Sequence, residues 1–156
     1  MNLHGLKAED VMTRDVTCFR EETTIAEAAD ALIAKRISGA PVVDKDGKLT
    51  GVVSEEDLIG VYYEGHRDVA KTAIGSVSVL GSSLVTRKAI TVKPETAVHE
   101  IAKRLITLKI KRVPVVDAAG KVLGIVSRKD ILKALVEGDR AGAARKGERP
   151  ATAAKP

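Results

Sequence analysis

The stretch APVVDKDGKLTGVVSEEDL (Ala40–Leu58) returns 73 positions later as VPVVDAAGKVLGIVSRKDI (Val113–Ile131). Each copy begins with proline and three apolar residues, turns over a glycine, resumes with an apolar run, and ends in Ser-x-x-Asp. This reads as a β-hairpin followed by a helix. Strands of Pro41–Val43 and Leu49–Val53 flank a turn at Asp46-Gly47. Their counterparts, Pro114–Val116 and Val122–Val126, flank Ala119-Gly120. The proline suits a strand start, where its missing N–H is not needed by the ladder.

The same offset extends upstream to Thr23/Thr96 without a gap. Ile25, Ala28, Ala29, Leu32 and Ile33 form one helical stripe, matched by Val98, Ile101, Ala102, Leu105 and Ile106. Thr24 and Glu27 have capping-box spacing. Before each helix a short extended stretch is expected, Val16–Phe19 and Ile90–Val92. There VMTRDVT (Val11–Thr17) aligns with VTRKAIT (Val85–Thr91) at an offset of 74, one residue being lost between. The organisation is therefore two tandem β-α-β-β-α units of α/β (α+β) class, related by a pseudo-two-fold axis. Residues 8–62 form the first unit, 63–84 a Gly/Ser-rich linker, 85–136 the second unit and 137–156 a disordered basic tail.

Composition narrows the function. The chain has 156 residues, 44% hydrophobic and 30% charged, with no Trp and one Phe. The core must come from Val, Ile, Leu and Ala, and units this small are expected to share it. Five of the basic residues and two of the acidic ones lie beyond Gly138, which places +3 of the net +5 in the tail. The nearly balanced body argues against a nucleic-acid face. Neither a signal peptide nor a run long enough to span a bilayer is expected, and one cysteine, Cys18, allows no intrachain disulfide. These features point to a cytoplasmic protein without membrane insertion. The histidines His4, His66 and His99 lack metal-ligand spacing. His66-Arg67-Asp68 spells a kinase triplet without the glycine loop that a kinase requires. No nucleophile–base arrangement stands out, so no catalysis, metal or covalent cofactor is expected.

The repeated strand–helix–hairpin–helix with its hPVVD…G…GhVSxxDh signature resembles the cystathionine β-synthase (CBS) domain. Two in tandem resemble the paired arrangement called a Bateman module, over roughly residues 8–136. The resemblance implies three strands and two helices per unit, two clefts between the units, and a regulatory adenine nucleotide (AMP, ADP or ATP) or S-adenosyl compound bound there. It also implies a homodimer and an unknown regulated protein. It assigns Asp57 and Asp130 to ribose hydroxyls and Ser54 and Ser127 to sugar or phosphate. Ile37, Gly39, Ala40 and Pro41, with Ile110–Pro114 (Lys111, Arg112 and Val113 between), line the adenine pocket. Thr17, Cys18, Thr91 and Val92 lie opposite. Read from the residues alone, Ser-x-x-Asp is equally a helix N-cap, Gly51 and Gly124 equally permit a strand bend, and Cys18 is most simply a buried apolar residue.

The copies differ in charge. Ser38-Gly39 faces Lys111-Arg112 in the alignment, and Glu55-Glu56 faces Arg128-Lys129. Cations in a helix's first turn oppose its dipole, a cost that an anion site offsets. The nucleotide is therefore expected in the second unit's cleft, with Asp130 on the ribose and Arg112, Lys111 or Arg128 near phosphate. The first cleft, with Glu55 and Glu56, is expected to take a less anionic ligand or none. Alternatives are an S-adenosyl sensor, a scaffold whose basic tail contacts nucleic acid, or a small nucleotide-turning enzyme. The dimer is expected to bury the helix faces around Leu58, Ile59, Ile131, Leu132 and Leu135.

Overall fold

A computed structural model describes residues 3–63, 68–79 and 81–146. The elements run α1 (Ala8–Val11), α2 (Ile25–Lys35), β1 (Gly39–Val43), β2 (Leu49–Ser54), α3 (Glu55–Tyr63), a 3-10 turn (Ile74–Ser76), β3 (Ser78–Val79) and β4 (Ser82–Ser83). They continue with α4 (Val98–Thr107), β5 (Arg112–Val116), β6 (Val122–Ser127) and α5 (Arg128–Lys146). The hairpins pair in equivalent registers. Gly39 opposes Ser54 and Val42 opposes Gly51, while Arg112 opposes Ser127 and Val115 opposes Gly124; both have a bulge before the last pair. The Thr24–Glu27 capping box closes as its spacing predicts, with Glu27 N–H donating to Thr24 Oγ1 at 3.2 Å and Thr24 N–H to Glu27 Oε2 at 3.0 Å.

The expected leading strands contract to single bridges. Phe19 pairs in parallel with Val42, and Val92 with Val115. Phe19 N–H donates to Pro41 O at 2.9 Å and Phe19 O accepts from Val43 N–H at 2.8 Å; Val92 does the same with Pro114 and Val116, each at 3.0 Å. The other edge of each hairpin is covered by the lead-in of the opposite unit. Thr86 exchanges both backbone hydrogen bonds with Val52, at 2.8 and 3.0 Å, and Thr13 does so with Ile125, at 2.9 and 3.0 Å. These bridges pair Thr13 with Thr86 and Phe19 with Val92 as structural equivalents, so the offset stays at 73 and the upstream alignment at 74 is corrected.

This crossing explains Gly51 and Gly124. A Cβ on Gly51 would stand 2.6 Å from Thr86 O, and one on Gly124 would stand 2.9 Å from Thr13 O. Their missing side chains admit protein backbone.

Two apolar clusters form, and neither is made by one repeat alone. Phe19, Ile25, Leu32, Val42, Val53, Leu58 and Val61 are joined by Ile74, Val77, Leu84 and Val85. The second cluster of Val98, Ile101, Leu105, Val113, Val115, Val126 and Ile131 is joined by Ala8, with Leu3, Leu6, Val11 and Met12 packed against it. Thus the segment preceding the second repeat completes the first core, and the N-terminal segment completes the second.

The backbone follows the same exchange. Ile25 and Ala26 N–H groups, unsatisfied at the start of α2, donate to Thr72 O and Ala70 O at 3.0 Å each. Val98 N–H donates to Leu6 O at 2.9 Å. Residues 68–79 and 81–84 therefore carry more structure than a linker would. Of the expected linker, residues 64–67 (with His66 and Arg67) and 80 lie outside the described residues.

A third contact joins the hairpin tips across the pseudo-two-fold. Leu49 N–H donates to Gly120 O at 2.9 Å and Val122 N–H to Gly47 O at 3.2 Å. Both glycines have positive φ, 79° and 86°, as these turns demand. Asp44 and Asp117 close the turns through Oδ1, each accepting two backbone N–H groups at 2.9–3.0 Å.

Three expectations need correction. Helix α5 runs through Lys146, so the tail is not irregular from Gly138 onward; residues 147–156 lie outside the described residues. Cys18 is exposed, and what desolvation its thiol has pushes its pKa up. In the expected dimer face, Leu58 and Ile131 point into the cores, whereas Ile59 and Leu132 are 64% and 62% exposed. Adjacent helical residues lie about 100° apart and cannot share a face. The outward apolar set is Ile33, Ile59 and Tyr63 with their counterparts Ile106, Leu132 and Val136.

Arg87 forms a two-pronged ion pair with Glu21, one contact being Nη2–Oε2 at 3.1 Å, and Thr50 Oγ1 donates to Glu21 at 3.0 Å. The hydrogen bond from Arg87 chiefly holds the Glu21 carboxyl below its ordinary range, against some desolvation. A depressed folded-state pKa adds stability above the unfolded value, which is lost as pH falls through the folded one. Arg87→Ala should therefore lower the urea midpoint at pH 7, and its deficit from wild type should shrink below about pH 4, the ordinary glutamate range. A deficit that persists unchanged at pH 2 would assign the loss to packing. Separately, Gly51→Ala and Gly124→Ala should each cost about 1–3 kcal/mol by overpacking. Gly60→Ala, whose methyl would meet only the Val79 side chain at 3.3 Å among the described residues, should be neutral or stabilising in the same urea titration.

Candidate functional site between the repeats

The exchange of lead-in segments leaves a cleft of about 360 Å³ between the units. Its floor is apolar: Ala40 and Pro41 of β1, Val52 and Val53 of β2, Ile90, Ile110, Pro114 and Ile125. Polar groups ring it: Ser38, Ser54, Glu55 and Glu56 from the first unit, Thr86 and Lys88 from the lead-in, and Lys109, Lys111 and Arg112 from the second unit. An apolar floor with a few convergent polar groups is the usual form of a small-molecule site.

Local conformation aims these groups. Lys109 has φ of 53°, as has its counterpart Arg36 at 54°. This left-handed residue ends the helix and turns the chain into the strand. Glu55 N–H donates to Ser38 O at 2.9 Å and Arg128 N–H to Lys111 O at 3.1 Å, tying each pre-strand loop to the start of the following helix. From β5, Arg112 reaches across to the first unit. It donates through Nη2 to Ser38 Oγ and lies over Gly39, where any Cβ would collide with it. Burial pushes the Arg112 guanidinium down, nearby Glu55 offsets part of that, and Arg128 adds to it. An arginine stays protonated regardless. Among the described residues no carboxylate forms an ion pair with it. The cleft therefore holds a partly desolvated cation whose bonded partner is a neutral hydroxyl.

Ser54 and Asp57 form a reciprocal cap. Asp57 Oδ2 accepts from Ser54 N–H at 2.7 Å and from Ser54 Oγ at 2.9 Å, and Asp57 N–H donates to Ser54 Oγ at 3.3 Å. Ser127 and Asp130 repeat it at 2.8, 3.0 and 3.3 Å. The capping geometry is present in both copies.

Of the residues singled out from sequence, Ala40, Pro41, Ser54, Ile110, Lys111, Arg112 and Pro114 come together at the cleft. Gly39 lies beneath Arg112 and Asp57 behind Ser54. Val113 is buried in the second core, and Ile37 lines a separate groove between α2 and α3. Thr17 and Thr91 are partly buried beside it in sequence terms only; neither lines the cleft, nor does Cys18. Ser127, Arg128 and Asp130 sit at the start of α5, outside this lining. The expected segregation of charge by repeat is thus corrected: Lys111 and Arg112 share a cleft with Glu55 and Glu56. Thr86, Lys88, Ile90 and Lys109 were missed. The first three lie, with Ala89, on the lead-in to the second unit, and no periodic pattern in the sequence marks them.

The family model for the CBS domain matches residues 8–64 and 81–137. This chain belongs to the CBS domain family. The uncharacterized protein MJ1426 of Methanocaldococcus jannaschii is 29% identical over 87% of this chain and 96% of its own length. The chloroplastic CBS domain-containing protein CBSX1 of Arabidopsis thaliana is 30% identical over 82% of this chain, which spans 62% of that protein. An inosine-5'-monophosphate dehydrogenase of M. jannaschii is matched over only 23% of its length. Among solved structures, the CBS domain pair of MJ0100 in complex with 5'-methylthioadenosine and S-adenosyl-L-methionine superposes with TM-score 0.71 at 28% identity, covering 86% of this chain and 98% of that one. CBSX2 in complex with AMP superposes with TM-score 0.73 at 30% identity, covering 87% and 100%. The tandem CBS pair is thereby established, in a chain whose described residues contain no helix long and apolar enough to cross a membrane.

Because each CBS unit uses its Ser-x-x-Asp as a cap, Ser54→Ala and Ser127→Ala should each lower stability by about 0.5–2 kcal/mol in urea titrations. Unchanged midpoints would show that the caps do not hold the helices.

Proposed function

We propose that this CBS pair senses an adenine nucleotide in the inter-repeat cleft, changes the packing of its two units on binding, and passes that change to a partner protein without catalysing a reaction. The observation that carries this reading is Arg112, a partly desolvated cation that forms no ion pair with a carboxylate among the described residues, standing over an apolar floor with Lys88, Lys109 and Lys111 around it. An adenine ring suits the floor of Pro41, Val53, Ile110 and Pro114. The phosphates suit the cations, and the ribose suits the Ser54–Asp57 end. Partly buried opposite charges at close range gain strongly in Coulomb energy, and arginine matches phosphate with two parallel donors. The AMP and S-adenosyl complexes of related pairs support an adenosine-bearing ligand.

A second reading rests on Glu55 and Glu56 in the same lining. They suit the cationic groups of S-adenosylmethionine, which AMP lacks. Assembly as a homodimer is supported by the repeated outward apolar set, Ile33, Ile59, Ile106 and Leu132, since exposed apolar surface of this kind marks interaction sites.

A thermal-shift and calorimetric series with AMP, ADP, ATP and S-adenosylmethionine tests the ligand. Ligand at one hundred times its Kd should add about 2.7 kcal/mol of stability. Arg112→Ala should weaken AMP at least about tenfold. A stronger response to S-adenosylmethionine than to any nucleotide selects the second reading, and silence toward all four rejects both. Light scattering at micromolar concentration should give a dimer mass, and Ile59→Glu with Leu132→Glu a monomer.

A further inference from the structure

Gly39 and Arg112 occupy the same position in the two units. Each opens its hairpin and opposes the serine that ends it, Ser54 or Ser127. Gly39 was expected to line the adenine pocket, yet it is not part of the cleft lining. What lies over it is the guanidinium of its own counterpart. A Cβ on Gly39 would collide with Arg112 Nη1, and would stand 3.0 Å from Arg112 Cζ and from Val53 O. Gly39 does not have a positive φ, so its backbone does not demand glycine; the space does. Beside it, Ser38 Oγ accepts from Arg112 Nη2. Ser38 is itself fixed to the first unit, its backbone oxygen accepting from Glu55 N–H at 2.9 Å.

We infer that Ser38 and Gly39 are positioning residues for the cation of the cleft: Gly39 leaves the space through which Arg112 crosses to the first unit, and Ser38 holds the guanidinium there until an anion takes it. The inference rests on the functional reading above and deepens it. A guanidinium carries five N–H donors in a rigid fork suited to two parallel bonds. One hydroxyl oxygen leaves that fork underused. A phosphate replaces the neutral acceptor with a charged, two-pronged one, and such bonds are about twice as strong. Ser38 is therefore an internal competitor, strong enough to place the side chain and weak enough to be displaced. The contact joins the start of β5 to the residue before β1. The empty pair is tied across the cleft at this point, and anion binding releases the tie.

Double-mutant cycles in the full chain separate this from a pocket-lining role. In urea without ligand, Ser38→Ala should lower the midpoint of wild type but leave that of Arg112→Ala in place, since the bond is already gone. Calorimetric titration with AMP gives the second readout. Gly39→Ala should weaken AMP about tenfold, as loss of the arginine does, and in the Arg112→Ala background it should cost no more than about twofold. Ser38→Ala should act in the opposite direction, strengthening AMP by about three- to tenfold, and should lose that effect in the Arg112→Ala background. Two residues that merely supported the fold would both weaken binding. A Gly39→Ala loss that is equal with and without Arg112 overturns the inference by making the glycine a wall of the ligand pocket. Weaker AMP binding in Ser38→Ala overturns it by making the hydroxyl a ligand contact. Additive midpoint losses for Ser38→Ala and Arg112→Ala overturn the tie whatever AMP does. No AMP binding to wild type, with the ligand-free cycle still non-additive, overturns the functional reading instead, so the two failures are distinguished.

Discussion

Everything in this molecule depends on two backbone crossings, Thr86 against Gly51 and Thr13 against Gly124. A two-stranded hairpin with one covering helix is too small to be stable by itself. Here each hairpin gains a neighbour on both edges, Phe19 or Val92 on one side and the opposite unit's lead-in on the other. The approach is close enough that only glycine fits. Once the crossings form, the lead-in segments carry Ile74, Val77, Leu84 and Val85 into one core and Ala8 with Leu6 and Met12 into the other. The two units are then interdependent, and any ligand that alters the gap between them acts on both cores.

The same crossing builds the cleft. Lys88 arrives on the lead-in, and Lys111 and Arg112 arrive on the second unit, all around a floor laid by both units. Charges of both repeats thus meet in one shared pocket. Arg112 donates to Ser38 Oγ and covers Gly39, so the site spans a joint between the units. On the proposed function, an anion would compete with Ser38 for the same guanidinium, so that one side chain would serve both affinity and signal.

Much of this was legible from sequence. The 73-residue repeat, the hairpin turns at Gly47 and Gly120, and the Thr24–Glu27 cap all follow from local chemistry, and local chemistry is what a sequence displays. What was hidden is non-local. Ile74, Val77 and Leu84 are scattered among glycine and serine, so their segment has no amphipathic period and reads as a linker. The offset of 74 upstream was favoured by residue identity, whereas the backbone bridges pair Thr13 with Thr86. Lys111 and Arg112 belong to the second unit in sequence, but the cleft they line is shared with Ser38, Glu55 and Glu56 of the first, a juxtaposition that only the tertiary fold displays. The inward turn of Leu58 beside the outward turn of Ile59 was in principle readable from the helical period alone.

Hydrogen exchange of backbone amides, with and without AMP, tests most directly that the inter-repeat cleft is the sensing site. The expected result is added protection at residues 53–57 and 109–112, with smaller changes spreading to the hairpin edges at Val52 and Thr86. Protection confined to residues beyond Gly138, or no change anywhere at saturating AMP, would contradict the account.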